Sequence, residues 1–219
     1  MTDSTGQNRS HAVMAQRHEA ADSLDYFPTP PWATRALCEH LDQHVGIGRQ
    51  SCWEPAAGAG HMARPLAEYF RLVAASDIAF YGASYPVLDF LEATAGDGRP
   101  SVQYDWLITN PPFNRAAEFA LRGLAVARVG VALMVRTVFL EGGARWRELF
   151  QPHPPTWVLQ FSERAPMIKG RLDRAASSAT AYCWVVWTPP VRQPPRPAPA
   201  LFWFPPGTRA RLECDEDYR

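Results

Sequence analysis

Residues 51–60 read SCWEPAAGAG. An apolar start, Ser51 to Trp53, is followed by an acid, a proline and two glycines, and then by a helical pattern. The first three residues suit a short strand. The glycines let the backbone turn tightly and come close to a ligand without a Cβ in the way. The helix behind them presents unpaired N–H groups. An ordinary strand–helix turn could look the same, so the neighbours have to decide.

Read outward, the pattern alternates. Before the loop, Pro30 and Pro31 lead into a helix over residues 32–44, with Ala36, Leu37, His40 and Leu41 at helical spacing. After it, the spacing predicts a helix over 61–70 and a strand over 72–76 that closes on Asp77. An irregular stretch or short strand covers 86–91. A buried strand over 106–109 and a helix over 116–127 follow. Beyond these lie a strand over 130–135, a helical stretch over 142–149, and strands over 156–161 and 179–187. This alternation predicts an α/β protein: a Rossmann-like, doubly wound, mostly parallel seven-stranded sheet with helices on both faces. The last two strands have no clear helix between them, so one is expected to run antiparallel. Three segments are expected: a flexible one over 1–23, the folded domain over 24–188, and a Pro-rich tail over 189–219. LFWF in that tail is apolar enough to pack back on the domain.

With 219 residues, the chain suits one domain with a sizeable core. Formal net charge is zero, yet residues 101–210 carry 12 Arg and Lys169 against 6 acids. One cationic face is one reading; Arg-rich codon usage is the other. The four cysteines are widely spaced, without metal-ligand spacing, and no metal is expected. Neither an apolar window of membrane-spanning length nor a signal-peptide pattern is present, so the cytoplasm is the default location.

Three further observations bear on chemistry. Asp77 lies 23 residues after Glu54. An acid ending the second strand of a nucleotide-binding sheet accepts hydrogen bonds from ribose hydroxyls, although a turn or helix cap would also use one. The loop starts with an acid and is not GxGxxG. Such a loop repels a pyrophosphate and suits a cationic, hydroxyl-bearing ligand, which favours S-adenosylmethionine over a dinucleotide. Asp89 and Phe90 could hydrogen-bond and face an adenine, or be a loop acid and a core ring. Finally, residues 104–113 read YDWLITNPPF. Prolines hold that turn rigid and offer no competing N–H. The Asn110 side-chain oxygen and the Pro111 carbonyl could then accept both hydrogens of a planar amine, with Phe113 stacked on its ring.

Taken together, these stretches resemble class I S-adenosylmethionine-dependent methyltransferases, over about residues 24–188. NPPF resembles the amino-methylating group typified by adenine-N6 DNA methyltransferases, of the short kind found in phages and prophages. The resemblance implies methyl transfer to the exocyclic N6 amine of adenine in DNA. It implies catalysis by Asn110, Pro111, Pro112 and Phe113. It implies a cofactor loop of Glu54, Pro55, Gly58 and Gly60, ribose contacts at Asp77, and adenine contacts at Asp89 and Phe90. FPTPPW resembles the segment preceding the glycine motif, which places Thr29 and Pro30 near the methionine moiety. For nucleic acid, the candidates are Arg136 and, in the basic loop SERAPMIKGRLDRAASSA, Arg164, Lys169 and Arg171. Trp146 is readable as a wedge or as a core residue. The same turn would serve an RNA base or a protein glutamine. A non-catalytic nucleic-acid-binding module on this fold is the reading from a different class.

Overall fold

The computed structural model describes residues 25–92, 103–188 and 199–218. The segment expected to be flexible, and the proline run of 189–198, lie outside these residues.

Trp106–Thr109 forms β3, with all four side chains buried. A run without polar alternation suits a strand covered on both faces. Successive side chains point to opposite faces, so Leu107 and Ile108 join two different cores. On the Ile108 side lie Trp32, Leu37 and Leu41 of α1 (Pro31–Val45), with Met134 and Trp184. On the Leu107 side lie Phe119 of α3 (Ala116–Val126), with Val131, Leu133 and Val185. α1 begins on Pro31 and ends at Gly46, whose left-handed backbone (φ 75°) returns its N–H to Leu41 and Asp42.

The remaining strands are β1 (Ser51–Glu54), β2 (Leu72–Ala75), β4 (Gly130–Arg136), β5 (Trp157–Phe161), β6 (Tyr182–Trp187) and β7 (Ala200–Phe204). They form one seven-stranded sheet in the order β2-β1-β3-β4-β6-β5-β7. Only β6 runs antiparallel, against β4 and β5. The sheet does not stop at residue 188: LFWF is the body of β7, which pairs in parallel with β5 and buries Phe204. Among the described residues, no helix is long and apolar enough to cross a membrane.

Two helices are shorter than their patterns suggest. Over 61–70 only Ala63–Leu66 (α2) is α-helical. Gly60 at φ 85° precedes it, and Pro65 removes a helix donor. Over 142–149, α4 is only Gly143–Arg145 and passes into a wide π turn, Trp146–Phe150. Two adjacent glycines are poor helix starters, and the wide turn seats Leu149 in the core. A short helix, α5 (Thr208–Leu212), follows β7.

Register lines up the carboxyl ends of the parallel strands. Glu54 stands opposite Ala75, and Thr109 opposite Leu133. Glu54, Asp77 and Asn110 therefore leave the sheet at one edge, where ligands bind in open α/β sheets.

Candidate cofactor and substrate cleft

Glu54, the last residue of β1, is 1% exposed. The loop after it folds back on its neighbours: the Ala57 N–H donates to Ser76 O at 3.0 Å, and Gly60 N–H to Ala57 O at 2.8 Å. Asp77 fixes the turn, accepting from Gly58 N–H at 2.7 Å and from Ala79 N–H at 3.1 Å. Gly58 and Gly60 have φ of 54° and 85°. Here glycine is required twice over, because a Cβ on Gly58 would enter the Tyr26 ring and one on Gly60 would meet the Tyr85 hydroxyl. The Tyr26 hydroxyl also accepts from Ala59 N–H at 3.3 Å, and its ring lies 4.4 Å from that of Tyr81. These tyrosines roof the loop. No spacing rule marks them, since each meets the loop only through the fold.

In front of the loop lies an open cleft with a cavity volume of about 110 Å³. Thr29, Glu54, Pro55, Asp77, Asp89, Phe90, Asn110 and Pro112 line it, with Tyr26, Phe27, Tyr81 and Arg115. Of the other expected site residues, Gly58 and Gly60 form the turn behind it. Pro30 precedes α1 and is buried, as is Pro111. Phe90 is 3% exposed and packs edge-on against Trp53, 5.3 Å between centroids, so it offers the cleft a rim rather than an open face. Asp89 Oδ1 accepts from Leu91 N–H at 2.9 Å and so also shapes its own turn.

Three buried polar atoms of lining residues have no partner: Thr29 Oγ1, Glu54 Oε2 and Asn110 Oδ1. Buried polar groups are almost always hydrogen-bonded. Three such oxygens on residues that line one cleft are consistent with a ligand rich in donors. The acids reinforce this. Burial pushes the Glu54 carboxyl well above the usual range, and the Asp77 charge pushes it further. Burial raises Asp77 as well, against the N–H bonds of Gly58, Ala79 and Ile78. A cation bound here would relieve both acids. Burial lowers His61 to about 4, with Arg64 beside it adding to the effect, so it is a neutral lining residue near pH 7.

Asn110 is oriented by the N-terminal segment. Its Nδ2 donates to Phe27 O at 2.8 Å, and because a carbonyl accepts only a donor, Oδ1 must point the other way. Phe113 N–H donates to Asp25 Oδ2 at 2.8 Å, and Arg115 N–H to Pro112 O at 2.9 Å. Residues 25–29 and the NPPF turn are thus knitted together.

Phe113 does not line the cleft. Its ring packs 5.1 Å from Phe27, and the Arg136 guanidinium lies 3.7 Å from its centroid. Arg136 is therefore half-buried on a ring rather than displayed. Arg164, Lys169 and Arg171 are exposed. The basic loop is anchored: Gly170 N–H donates to Tyr26 O at 2.8 Å, and Arg209 N–H to Glu163 at 3.1 Å. Arg171 pairs with Asp173. Arg174 pairs with Glu213 and Asp215, so acids neutralise part of the basic half, and Arg211 just beyond it pairs with Glu39. Trp146 is 56% exposed and is no core residue.

No protein-family model matches the chain, and no curated protein matches its sequence. Solved structures do match. The fold is similar to that of a candidate RNA methyltransferase from Pyrococcus horikoshii, at 16% identity over 75% of this chain and 88% of that one, with a TM-score of 0.53. It is also similar to the modification subunit of a candidate type I restriction enzyme from Vibrio vulnificus, at 15% identity, over 91% of this chain and 51% of that one, with a TM-score of 0.55. This chain thus spans about half the length of that subunit. A candidate O-methyltransferase from Agrobacterium tumefaciens matches at 13% identity over 80% and 84%, with a TM-score of 0.50. The chain is thus a Rossmann-like sheet, similar in fold to these structures, with an acid-lined cleft at the carboxyl ends of its parallel strands.

Proposed function

We propose that this protein is an S-adenosylmethionine-dependent N-methyltransferase acting on the N6 amine of adenine in DNA. The observation that carries the reading is the partnerless Asn110 Oδ1, on a residue that lines the same cleft as Glu54 and Thr29, whose Oε2 and Oγ1 are also partnerless.

In this reading, Thr29, Pro30, Glu54, Pro55, Gly58, Gly60, Asp77, Asp89 and Phe90 hold the cofactor, whose role is to supply the methyl group. Glu54 and Asp77 bring negative charge to a cationic, hydroxyl-bearing ligand, which also offsets their own burial. Asn110 Oδ1 and the Pro111 carbonyl accept the two amine hydrogens. An adenine amine is a poor nucleophile because its lone pair is delocalised into the ring. Fixed acceptors favour the pyramidal nitrogen and the positive charge that develops on it, which stabilises the transition state above the ground state. Pro111 and Pro112 keep those acceptors in place, so little reorganisation is needed.

Taking a base out of a duplex costs about a few kcal/mol, and stacking on an aromatic ring returns roughly 1–3 kcal/mol. Phe113 is the ring assigned to that task. Arg164, Lys169 and Arg171, exposed on the anchored loop, are the residues assigned to phosphate contacts in this reading.

Methylation of an RNA base is the second reading, favoured by the similarity in fold to a candidate RNA methyltransferase of nearly the same extent. The deciding experiment is transfer of tritiated methyl to DNA, RNA and protein, with the modified nucleoside or residue identified afterwards. N6-methyladenine in DNA is expected. Label in RNA alone selects the second reading, label in glutamine moves the substrate to protein, and no label on any polymer removes the catalytic assignment.

A further inference from the structure

β7 lies at one end of the sheet and, among the described residues, pairs only with β5. Ala200 N–H donates to Thr156 O at 3.0 Å, and Phe204 O accepts from Ser162 N–H at 3.2 Å. A strand residue turns its N–H and C=O to one side, and the next residue turns them to the other. Ala200, Phe202 and Phe204 therefore face β5, while Leu201 and Trp203 present theirs at the open edge. Native edges are guarded by charges, prolines or bulges. ALFWF has no charge and no proline, and its register with β5 runs unbroken from Ala200 to Phe204.

The side chains are unguarded as well. Leu201 and Trp203 share a face of the strand and are 53% and 58% exposed. Phe202 points to the other face, its ring 4.9 Å from His40 and 5.5 Å from Phe204, and is still 39% exposed. An antiparallel second β7, related by a two-fold axis through Phe202, sets Leu201 opposite Trp203 of the second copy and Trp203 opposite Leu201 of the second copy. These are the residues whose N–H and C=O lie at the edge, so each opposed pair exchanges both of its hydrogen bonds. The same pairing gathers the tryptophans and leucines of both copies on one face, where cross-strand neighbours stabilise a sheet. The strand is thus complementary to itself, as a two-fold interface requires, and no charge on it repels a second copy.

We infer that the β7 edge is a self-association surface, and that its partner is a second copy of this chain joined through an antiparallel β7–β7 pair centred on Phe202. β7 contributes no residue to the cleft, so this surface is separate from it. The area sets the strength. Aromatic side chains bury about 150–250 Å² each, so the exposed parts of Phe202 and Trp203 come to roughly 200 Å² per copy. Two copies, with Leu201 and the strand backbone added, stay below the about 1,200 Å² of a stable interface. The dimer is therefore weak and concentration-dependent, held by main-chain bonds and a small apolar cluster.

Sedimentation velocity of the full chain across a concentration series reads the mass. The native protein is expected to pass from monomer to twice that mass as concentration rises. Trp203→Lys puts the usual guard on the edge and should stay monomeric throughout, with circular dichroism showing that it is folded. Leu201→Lys repeats the test if that variant does not fold. Cysteines read the register separately, in a Cys214→Ser background that removes the exposed native thiol. Phe202→Cys faces its own mate at a Cα separation of about 4.5 Å and should be oxidised to a disulfide dimer by oxidised glutathione. Leu201→Cys, whose mate is displaced along the strand, should not. A native chain that is monomeric at every concentration overturns the proposal. So does a dimer that survives in the folded lysine variants, or one that cross-links no better from position 202 than from position 201.

Discussion

The Asp77 carboxylate accepts the backbone N–H of Gly58 at 2.7 Å, tying the end of one strand to the turn after another. Its second oxygen holds Ala79 N–H at 3.1 Å. The acid thus shapes the glycine turn before any ligand arrives. Asp77→Ala should cost about 1.5–3 kcal/mol of stability, as lost hydrogen bonds to a charged group do. It should also weaken cofactor binding more than tenfold. Thermal unfolding and calorimetry check both, and native-like cofactor affinity in the variant would remove Asp77 from the site.

Asn110→Ala separates binding from chemistry. The variant loses the bond to Phe27 O, worth about 1 kcal/mol, and the partnerless Oδ1 acceptor assigned to the substrate amine. Methyl transfer should fall by roughly 10²–10³, the usual cost of removing one preorganised polar group. Cofactor affinity should stay within about threefold, because the holding residues are untouched. Single-turnover transfer and equilibrium binding measured side by side decide this; substantial activity would refute the role.

Glu54 makes the ligand-free protein sensitive to pH. Its carboxyl is raised by burial first and by Asp77 second. The folded state therefore holds that proton longer than the unfolded chain. This contribution to stability is complete below the ordinary value of 4.5 and is lost as pH rises through the folded value. Glu54→Gln should accordingly gain on the native ligand-free protein as pH climbs from 5 to 8, and should bind the cofactor more weakly. His40, lowered to about 4 mainly by burial, acts oppositely, but it is common to both proteins and cancels in the difference. A difference in melting temperature that stays flat across this range would contradict the assignment.

Arg35 anchors the C-terminal segment. It donates to both oxygens of Glu68, to both of Asp217 and to Leu212 O, at 2.8–2.9 Å. Arg35→Met leaves Asp217 buried and unpaired and should cost about 3–5 kcal/mol. Asp217→Asn in the same chain should restore part of that loss, which a urea titration of both variants would show. Burial alone would raise Asp217, but the bonds from Arg35 and Cys214 N–H hold it below its usual 3.8. The contribution from Asp217 is thus present above that pH and is lost only as acid takes it through the lower folded value.

The strands and turns were legible because their causes are local. WLIT is apolar at every position and became a doubly covered strand. Gly58 and Gly60 adopt the backbone that only glycine takes cheaply. Asp77 and Asn110 each follow a short apolar run, so a parallel sheet brings them to one edge. These features follow from residue type and spacing over a few positions.

Other features depend on partners far along the chain. Phe27 turns the Asn110 amide from 83 residues away. Arg136 covers Phe113, and Tyr26 roofs Gly58. Glu213 and Asp215 neutralise Arg174, and β7 extends a sheet that the proline run seemed to end. The sequence by itself determined the order of elements, the glycine turn and the sheet edge at which the polar residues gather. Only the tertiary structure decided which oxygen of that site lacks a partner, which ring face is covered and which arginines are paired. Backbone preference is a property of a residue and its neighbours, whereas the satisfaction of a polar group depends on whatever packing brings within about 3 Å of it.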